Sequence, residues 1–505
     1  MAFYVTTPIY YVNAAPHLGH AYTTIGADIL ARHHRQRGED VFFLTGTDEH
    51  GEPVAQVAER EGITPKELAD RNAQHFLDLL PRIGVSNDFF IRTSDPRHKR
   101  RVQEVMQRVH DNGHVYKGLY EGWYCPKCAD FKTDAEIAEG NTCPIHRIPL
   151  DREHEENWFF RLSTFAQPLK DLYAQRPDFV TPRSRYNEAL AFINGGLQDV
   201  SLSRNKLTWG VEVPWDPGHV FYVWFDALLN YYTALSFARD GEDLTERFWP
   251  ASYHILGKDI LKFHAVFWPA MLLAADLPLP ERELIHGYLL MRDSEGVETK
   301  MSKSLGNVLD PFEVIDKFGT DALRYYCFRE VSFGQDGGVS TTTFGERYES
   351  ELANEYGNLA SRTLAMITRY RAGIVPDVEV DPVLVLDFDG LVAEVSELLD
   401  RAEITQALDR IWQRVRRLNR YVEESAPWQL AKNGADAEQL DVTLRSLAEG
   451  IRALTVLLHP YMPGTAAKLL GALGSGELTL QTAAFGAQPG GNTVAKLPQL
   501  FPKPQ

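Results

Sequence analysis

The sequence has few cysteines, an excess of acidic residues and no long apolar run. Four cysteines in 505 residues are too few for a disulfide framework, and three of them fall within the 19 residues from Cys125 to Cys143. This clustering is typical of a metal site in a protein of a reducing compartment. The 52 Lys and Arg residues against 69 Asp and Glu residues give a net charge of −17, which argues against a basic coat that binds nucleic acids indiscriminately.

Targeting and membrane-spanning segments are also missing from the pattern. The longest apolar run, Ala265–Ala275, contains Pro269 and is too short to cross a bilayer. The first charged residue is Asp28, so the N-terminus lacks the basic stretch that opens a signal peptide. We therefore expect a cytoplasmic protein without a membrane partner, and the length suggests about three domains.

The first half of the chain alternates between strand-like and helix-like segments. Phe3–Thr7 is a β-prone run, apolar residues between positions 18 and 29 recur with 4-3-4 spacing, and Val41–Leu44 is a second β-prone run. A strand, a helix and a strand in the first 44 residues predict parallel pairing. We therefore expect an α/β fold with a doubly wound, Rossmann-like parallel sheet.

This pattern is interrupted once and later replaced. Cysteines, aromatic clusters and Gly/Pro-rich stretches break it from about residue 115 to 217, and it then resumes with a predicted helix at Leu261–Ala275 and a predicted strand at Leu284–Met291. The predicted parts are the first half of the sheet domain (1–114), an insertion (115–217), the second half of the sheet domain (218–345), an all-α bundle (346–485) and a C-terminal tail (486–505).

One predicted helix of the bundle carries a row of arginines. Apolar residues from Ile404 to Val422 repeat with 4-3-4-3-4 spacing and define the buried face. The opposite face holds Arg410, Arg414, Arg417 and Arg420. Such a row is usually a solvated face, although it also suits the phosphates of a nucleic acid.

The loop Pro16-His17-Leu18-Gly19-His20 follows the first strand and opens the first helix. In a doubly wound sheet, ligands bind at this edge, and a helix N-terminus there favours an anion. Gly19 has no Cβ, so a flat ring can approach the backbone, while His17 and His20 share one helical face and can donate to phosphate oxygens. Taken alone, a His-x-x-His pattern is more often a cap or a packing element.

A second motif, Lys300-Met301-Ser302-Lys303-Ser304, lies far downstream in the second half of the sheet domain. Two lysines ahead of Gly306-Asn307 predict a cationic loop that closes over a departing pyrophosphate. By itself a K-x-x-K pattern carries little information. Together with His17–His20 on a split α/β domain, it becomes specific.

The cysteine cluster has the spacing of a zinc knuckle. Cys125 and Cys128 are separated by two residues, fourteen residues follow, and Cys143 and His146 are again separated by two. Three thiolates and one imidazole suit tetrahedral Zn²⁺. Because the protein fills all four positions, we predict one structural zinc rather than a catalytic one.

The two loop motifs resemble the HIGH and KMSKS motifs of class I aminoacyl-tRNA synthetases. Residues 6–13 (TTPIYYVN) and 221–227 (FYVWFDA) resemble the methionyl-tRNA synthetase family in particular, and the similarity extends from Phe3 to about residue 480. The resemblance implies that ATP, with Mg²⁺, activates L-methionine as methionyl-adenylate. It further implies that initiator and elongator tRNA(Met) accept the methionyl group, with release of AMP and pyrophosphate, and that the bundle binds the anticodon.

The resemblance also implies roles for individual residues. It assigns catalysis to His17, Gly19, His20, Lys300 and Lys303, and ATP binding to His17, His20, Arg204, Lys300, Ser302 and Lys303. It assigns the methionine pocket to Tyr11, Asp48, Trp224, Tyr231, Ile260 and His264, and anticodon binding to Asn358, Arg362 and Trp428. Without the resemblance, Asp48 suits a helix N-cap equally well, and the aromatic residues are more often core.

Two other functions remain open at this point. A related synthetase for cysteine, leucine, isoleucine or valine has the same motifs, although the insertion is too small for the editing domain of the last three. A non-catalytic RNA-binding paralogue would keep the fold, although both phosphate motifs are intact here. We expect a monomer.

Overall fold

The computed structural model describes residues 2–13, 15–126, 130–132, 137–145, 147–292, 298–300, 310–432 and 436–502. For Tyr120, Asp130, Phe131, Glu153 and Lys300 it describes the backbone only. No helix within these ranges has both the length and the apolar character needed to cross a membrane.

The predicted strand–helix–strand unit is confirmed at the N-terminus. This part forms β1 (Ala2–Tyr11), α1 (Leu18–Gln36), β2 (Asp40–Asp48), α2 (Glu52–Glu61), α3 (Pro65–Arg82), β3 (Phe89–Arg92) and α4 (Pro96–Asp111). β1 pairs in parallel with β2, and β2 pairs in parallel with β3. His17 caps the N-terminus of α1, so the predicted loop lies between β1 and that helix.

The cysteine-bearing region builds a small antiparallel sheet. It forms β4 (Val115–Cys125), β5 (Asp130–Lys132), β6 (Asp151–Phe160), a 3₁₀ turn (Leu162–Phe165), α5 (Ala166–Gln175), β7 (Val180–Thr181), α6 (Arg183–Asn194), β8 (Val200–Ser201) and β9 (Ser203–Arg204). The strand order is β5-β4-β6-β8, with a long register from Val115↔Phe160 to Tyr124↔Asp151.

The sheet domain resumes and completes the central sheet. The elements are β10 (Val220–Phe221), α7 (Val223–Leu228), α8 (Asn230–Thr233), a 3₁₀ turn (Ala234–Ser236), α9 (Thr245–Phe248), β11 (Tyr253–Gly257), a 3₁₀ turn (Lys258–Ile260), a π-helical turn (Phe263–Phe267), α10 (Trp268–Ala274), β12 (Arg282–His286), β13 (Leu289–Arg292) and β14 (Glu298–Lys300). The sheet order is β3-β2-β1-β11-β12-β7, and every pair is parallel. β7 therefore joins this sheet from within the predicted insertion, because a two-residue strand leaves no periodicity to read.

Two single elements predicted in this half are divided in the structure. The strand expected at Leu284–Met291 breaks at Gly287, where a Cβ would lie 2.3 Å from the carbonyl carbon of Gln335. After this close approach, β13 leaves the central sheet and pairs with β14. The helix expected at Leu261–Ala275 consists of the π-helical turn followed by α10.

The rest of the chain is mostly helical. The elements are α11 (Pro311–Phe318), α12 (Thr320–Glu330), β15 (Gly337–Val339), α13 (Thr341–Arg347), a π-helical segment (Tyr348–Gly357), α14 (Asn358–Arg371), α15 (Pro382–Phe388), α16 (Leu391–Asp400), α17 (Ile404–Ser425), α18 (Pro427–Leu430), α19 (Ala437–Leu458), α20 (Pro463–Ala472) and a 3₁₀ turn (Leu480–Ala483). The predicted bundle corresponds to α14 and the helices that follow it. The helix expected from Ile404 to Val422 is α17, and α19 contains Leu444 to Leu458, whose 3-4-3-4 apolar spacing predicts a second helix.

The segment from residue 486 to 502 packs against this bundle although it has no periodic pattern. The Val375 N–H donates to the Asn492 carbonyl oxygen over 2.9 Å, and the Val494 N–H donates to that of Gly373 over 2.7 Å. Val494 and Phe501 are buried in the main hydrophobic cluster. The segment is thus part of the bundle core.

A fully buried arginine joins the sheet domain to the bundle. Arg324 of α12 donates from Nη2 to Asp28 of α1 over 2.7 Å. It also donates to the carbonyl oxygens of Tyr461 and Pro460 over 2.9 and 2.7 Å. Burial alone would raise the pKa of Asp28, but Arg324 and Arg32 hold it below its ordinary value. The ion pair therefore stabilises the fold near neutral pH.

Arg324→Met should destabilise the protein strongly, because it leaves Asp28 buried with only Arg32 as a cationic partner. We expect a loss of about 3 kcal/mol, the low end of the range for a broken buried pair, measured as a shift of the denaturant midpoint.

Arg32→Met is the matched control, since Arg32 contacts the same carboxylate from a partly exposed position, and it should cost about 1 kcal/mol or less. The difference in denaturant midpoint between wild type and Arg324→Met should shrink as the pH falls through the lowered pKa of Asp28. Equal midpoints for the two variants would contradict this account.

Candidate active site

A cavity of about 480 Å³ lies at the carboxyl-terminal edge of the central sheet. Tyr11 and Asp48 end β1 and β2, Gly257 and His286 end β11 and β12, and all four line the cavity. This edge is where doubly wound sheets bind ligands. The residues predicted for catalysis and for methionine that line this one cavity are Tyr11, His17, Gly19, His20, Asp48, Trp224, Tyr231, Ile260 and His264.

His17 and His20 cap the first turn of α1 with their Nδ1 atoms. The Gly19 N–H donates to His17 Nδ1 over 3.1 Å, and the His17 N–H donates to His20 Nδ1 over 3.0 Å. Because both Nδ1 atoms accept, each neutral ring carries its proton on Nε2. The ring centroids lie 3.8 Å apart. Capping and anion binding use different nitrogens, so the structure accommodates both interpretations of the motif.

Gly19 is needed for this cap. A Cβ at position 19 would lie 2.9 Å from Cε1 and 3.0 Å from Nδ1 of His17. A larger residue would therefore push the His17 ring out of its position against the helix N-terminus. The missing side chain thus has a structural cause in addition to the open approach for a flat ring that the sequence suggests.

Asp48 is a buried carboxylate that lines the cavity. It ends β2, whereas Gly51 caps α2, so the alternative that Asp48 is a helix N-cap is wrong. Its Oδ1 has no hydrogen-bond partner among the described residues. Burial, and then the charge of Asp226, raise the pKa of Asp48 well above its ordinary value. Such a carboxylate favours a ligand that brings a positive charge.

Neutral rings form the wall beside Asp48. His264 Nδ1 donates to the Ile260 carbonyl oxygen over 3.1 Å, and its Nε2 accepts from the Tyr231 hydroxyl over 2.8 Å. Burial lowers the pKa of His264 to about 4, so the ring is uncharged at neutral pH. Trp224 stacks on Phe263 with 3.7 Å between the ring centroids. This surface suits an apolar or thioether side chain.

A second buried carboxylate lies behind Asp48. Asp226 of α7 accepts from His50 Nδ1 over 3.0 Å, and His98 Nε2 lies 3.6 Å from its other oxygen. Burial alone would raise the pKa of Asp226, but His50 and His98 hold it below its ordinary value. Asp226 therefore stays ionised and opposes the ionisation of Asp48.

Arg204 is not among the described residues that line the cavity. Its Nε and Nη2 donate to Glu155 over 3.1 and 3.2 Å, and its Nη1 lies 3.7 Å from Glu52. Its guanidinium lies 4.5 Å over the Tyr124 ring. Two carboxylates thus neutralise Arg204, and it does not share the cavity with His17 and His20, the other two residues predicted to bind ATP whose side chains the structure describes.

Several predicted residues lie outside the described part of the chain. These are Cys128, His146, Ser302 and Lys303, together with the side chain of Lys300. The Lys300 backbone ends β14, which pairs antiparallel with β13. β13 begins at Leu289, a residue of the cavity lining. The chain that carries the lysine motif therefore departs from beside the cavity.

The other two predicted zinc ligands, Cys125 and Cys143, are described and buried. Cys125 ends β4, and the Arg147 N–H donates to the Cys143 carbonyl oxygen over 2.8 Å. With Leu150, the two cysteines form a small core of their own. Among the described residues, no three metal-binding side chains come together, and with half of the set outside that range the zinc site stays a prediction.

Several residues of the cavity were not predicted from the sequence. Asp259, Lys262 and His286 line it. His286 ends β12 and Asp259 follows β11 by two residues, so the rule that ligands bind at the carboxyl ends of parallel strands could have found both. Lys132 and Ile145 also line the cavity and come from the insertion, a contact that no sequence signal indicates.

The residues predicted to read RNA meet on one side of the bundle. Asn358 and Arg362 lie one turn apart at the start of α14, and Asn358 is exposed. The Arg362 guanidinium lies 5.6 Å over the ring of Trp428, which is half-buried in α18. Arg362 also pairs with Glu423 over 3.1 Å. The structure thus brings Arg362 and Trp428 into contact and places Asn358 nearby.

Two protein families match the chain, one up to residue 364 and the other from residue 376. The family described as class I tRNA synthetases (M) matches residues 3–154 and 149–364. The family described as the anticodon binding domain of methionyl tRNA ligase matches residues 376–503.

Individual relatives match almost the whole chain. The methionine–tRNA ligase of Streptomyces coelicolor is 45% identical over 527 residues, which cover 99% of this chain and 96% of that protein. The methionine–tRNA ligase of Caldanaerobacter subterraneus subsp. tengcongensis is 43% identical over 507 residues, which cover 99% of this chain and 78% of that protein.

Solved structures match the same extent. Mycobacterium tuberculosis methionyl-tRNA synthetase in complex with methionyl-adenylate superposes with a TM-score of 0.94 at 39% identity, over 99% of each chain. The apo form of the same enzyme gives a TM-score of 0.87 at 36% identity, over 100% of this chain and 98% of that one.

The arrangement of Asp48 and Asp226 predicts that an ammonium ligand releases a proton on binding. The raised pKa of Asp48 lets a proton occupy its carboxyl group, and the ligand's ammonium group must displace it. Titration calorimetry with methionine, the amino acid of the bound adenylate in the similar structure, should give an enthalpy that varies with the ionisation enthalpy of the buffer. Affinity should increase as the pH rises through the pKa of Asp48.

Asp226→Asn removes the charge that opposes the ionisation of Asp48. This variant should therefore release fewer protons per bound methionine and keep its affinity for methionine to lower pH. Asp78→Asn changes an exposed aspartate of α3 and should behave like wild type. An enthalpy that is the same in every buffer for the wild type would overturn the assignment.

Proposed function

The chain belongs to the methionyl-tRNA synthetase family of class I aminoacyl-tRNA synthetases, and we propose that its cavity forms methionyl-adenylate and charges tRNA. The methionine carboxylate attacks the α-phosphate of ATP and expels pyrophosphate. A ribose hydroxyl of the terminal adenosine of tRNA then takes the methionyl group, and AMP leaves. The observation that carries the proposal is that the histidine pair of α1 and the six predicted methionine residues line one cavity.

His17 and His20 stabilise the α-phosphate while charge builds on it. Their Nδ1 atoms accept from backbone N–H groups, so Nε2 is the nitrogen of each ring that can donate to a phosphate oxygen. The N-terminus of α1 adds a favourable potential for an anion. Mg²⁺, bound with ATP, neutralises part of the phosphate charge. No side chain forms a covalent bond to the substrate, so positioning and electrostatics supply the rate enhancement.

Asp48 and the aromatic wall hold methionine. The Asp48 carboxylate pairs with the ammonium group, which also relieves its repulsion by Asp226. The thioether lies among Trp224, Tyr231 and His264, because sulfur packs well on polarisable ring edges. The uncharged state of His264 suits this role, since a charged ring would not favour an apolar side chain.

Lys300, Ser302 and Lys303 complete the nucleotide site in this proposal. What supports them is the motif itself and the departure of this chain segment from an antiparallel strand pair beside the cavity. The charges of Lys300 and Lys303 neutralise the β- and γ-phosphates as pyrophosphate leaves. Arg204 receives a positioning role instead, because it links Tyr124, next to Cys125, with Glu52 near the Asp48 loop.

One structural Zn²⁺, held by Cys125, Cys128, Cys143 and His146, is the second part of the proposal. Two buried thiols in a small separate core are the environment that a closed, structural site requires. The metal holds the part of the insertion from which Lys132 and Ile145 reach the cavity. Thiolate ligands and a tRNA substrate both suit the cytoplasm.

The zinc site predicts a metal content of about one ion per chain, measured by elemental analysis of the purified protein. Cys143→Ala should lose the metal, lower the melting temperature and reduce activity only indirectly. Cys327→Ala removes another buried thiol, which belongs to a different hydrophobic cluster from Cys125 and Cys143, and should keep the metal. Full zinc content in Cys143→Ala would refute this site.

Trp428, Arg362 and Asn358 read the anticodon of initiator and elongator tRNA(Met) in this proposal. Unpaired RNA bases are recognised by stacking on aromatic rings and by hydrogen bonds to their edges. The half-buried Trp428 ring under the Arg362 guanidinium offers such a stacking surface.

Trp428→Ala should leave adenylate formation unchanged and weaken tRNA charging. A base stacked on an aromatic ring is worth ~1–3 kcal/mol, so kcat/KM for tRNA should fall roughly 5- to 150-fold. Adenylate formation is measured as the burst of pyrophosphate without tRNA, and charging as methionyl-tRNA formed. Trp428→Phe should restore most of the loss. An equal loss in both assays would instead assign Trp428 a folding role.

A further inference from the structure

The five arginines of α17, which are the four of the predicted row and Arg416, divide into paired and unpaired residues. Arg410 pairs with Glu394 over 2.7 Å, and Arg416 pairs with Glu355 over 3.1 Å. Arg417 pairs with Asp387 over 2.6 Å and with Glu424 over 3.1 Å. These three arginines are neutralised by neighbouring carboxylates and belong to the packing of the bundle surface.

Arg414 and Arg420 have no such partners. Neither side chain makes an ion pair or hydrogen bond with any residue in the described part of the chain, and the buried Nε of Arg414 lacks an acceptor there. The positions are six residues apart, which is about 9 Å along the helix axis.

Both side chains line a groove between α15 and α17 with a volume of about 420 Å³. Four arginines and one aspartate line it, and Arg417 already neutralises that aspartate, Asp387. Leu386, which is 78% exposed, forms part of the groove wall. The groove therefore presents a local positive charge to the solvent.

The groove is continuous with the surface that carries Trp428. Arg420 follows Arg416 by four residues and precedes Glu423 by three, so the three share one face of α17. Glu423 pairs with Arg362, whose guanidinium lies over Trp428. One helix face thus connects Arg420 with the proposed base-reading residues, and Arg414 lines the same groove as Arg420.

We propose that this groove binds phosphates of the RNA strand next to the bases at Trp428, with Arg414 and Arg420 as the contacting groups. The proposal rests on the proposed function, because it requires RNA at Trp428. A guanidinium fork matches two phosphate oxygens, and such contacts set the register of a nucleic acid without reading its sequence. Unpaired arginines suit this role, since they lose no internal ion pair when RNA binds.

The test compares the double variant Arg414→Gln/Arg420→Gln with wild type in tRNA binding over a series of salt concentrations. The slope of log affinity against log salt is negative. The loss of two phosphate contacts should make it less steep by about 1.5, at ~0.7–0.9 for each contact. Affinity near physiological salt should fall about tenfold. The pyrophosphate burst without tRNA should stay at the wild-type level.

Arg410→Gln is the matched control, because Arg410 lies on the same helix but is paired with Glu394, and it should change neither affinity nor slope. Equal losses in the double variant and the control would overturn the proposal, because a general charge effect would then explain both.

Unchanged tRNA binding in the double variant, with Trp428→Ala still impaired, would overturn the groove and leave the proposed function intact. Polyglutamate serves as a probe for an acidic protein partner. If wild type binds polyglutamate and the double variant does not, while both bind tRNA equally well, the groove takes an acidic protein and the proposal is overturned. Intact charging in both Trp428→Ala and the double variant would overturn the anticodon assignment as well.

Discussion

The buried ion pair of Arg324 and Asp28 is the constraint on which the two-part architecture depends. Asp28 lies in the first helix of the sheet domain, and Arg324 reaches it while also binding two carbonyl oxygens of the bundle. A charge inside a hydrophobic core is tolerated only when all its partners are present. One hydrophobic cluster extends from Phe3 of β1 to Phe501 near the C-terminus. The cavity and the Trp428 surface therefore belong to one continuously packed body.

Within that body, the same groups serve structure and chemistry through different atoms. His17 and His20 satisfy the first N–H groups of α1 with Nδ1 and keep their protons on Nε2. His50 and His98 keep Asp226 ionised. Burial and the charge of Asp226 together raise the pKa of Asp48, so a cationic ligand favours its ionised form. In the bundle, three arginines of α17 form ion pairs with carboxylates, and two have no ion-pair partner among the described residues. The net charge of −17 thus coexists with local positive sites.

Much of the fold and of the cavity could be predicted from the sequence, because periodicity and motif position reflect local physics. The spacing of apolar residues identified α1, α17 and α19, and the end of each parallel strand indicated where a ligand binds. Features set by distant contacts left no local signal. The break at Gly287 follows from the approach of Gln335, β7 is two residues long, and the π-helical turn that holds His264 looks like ordinary helix. The same holds for ion pairing, since nothing in the sequence distinguishes the neutralised Arg204 from the unpaired Arg414.

The proposed reaction requires this cavity to activate methionine with ATP before tRNA is engaged. The most direct test is ATP–pyrophosphate exchange without tRNA, measured separately with methionine, cysteine, leucine, isoleucine and valine. Exchange should depend on methionine, with little or none for the other four amino acids. Exchange with one of those four but not with methionine, or no exchange with any of the five, would rule out the proposed reaction.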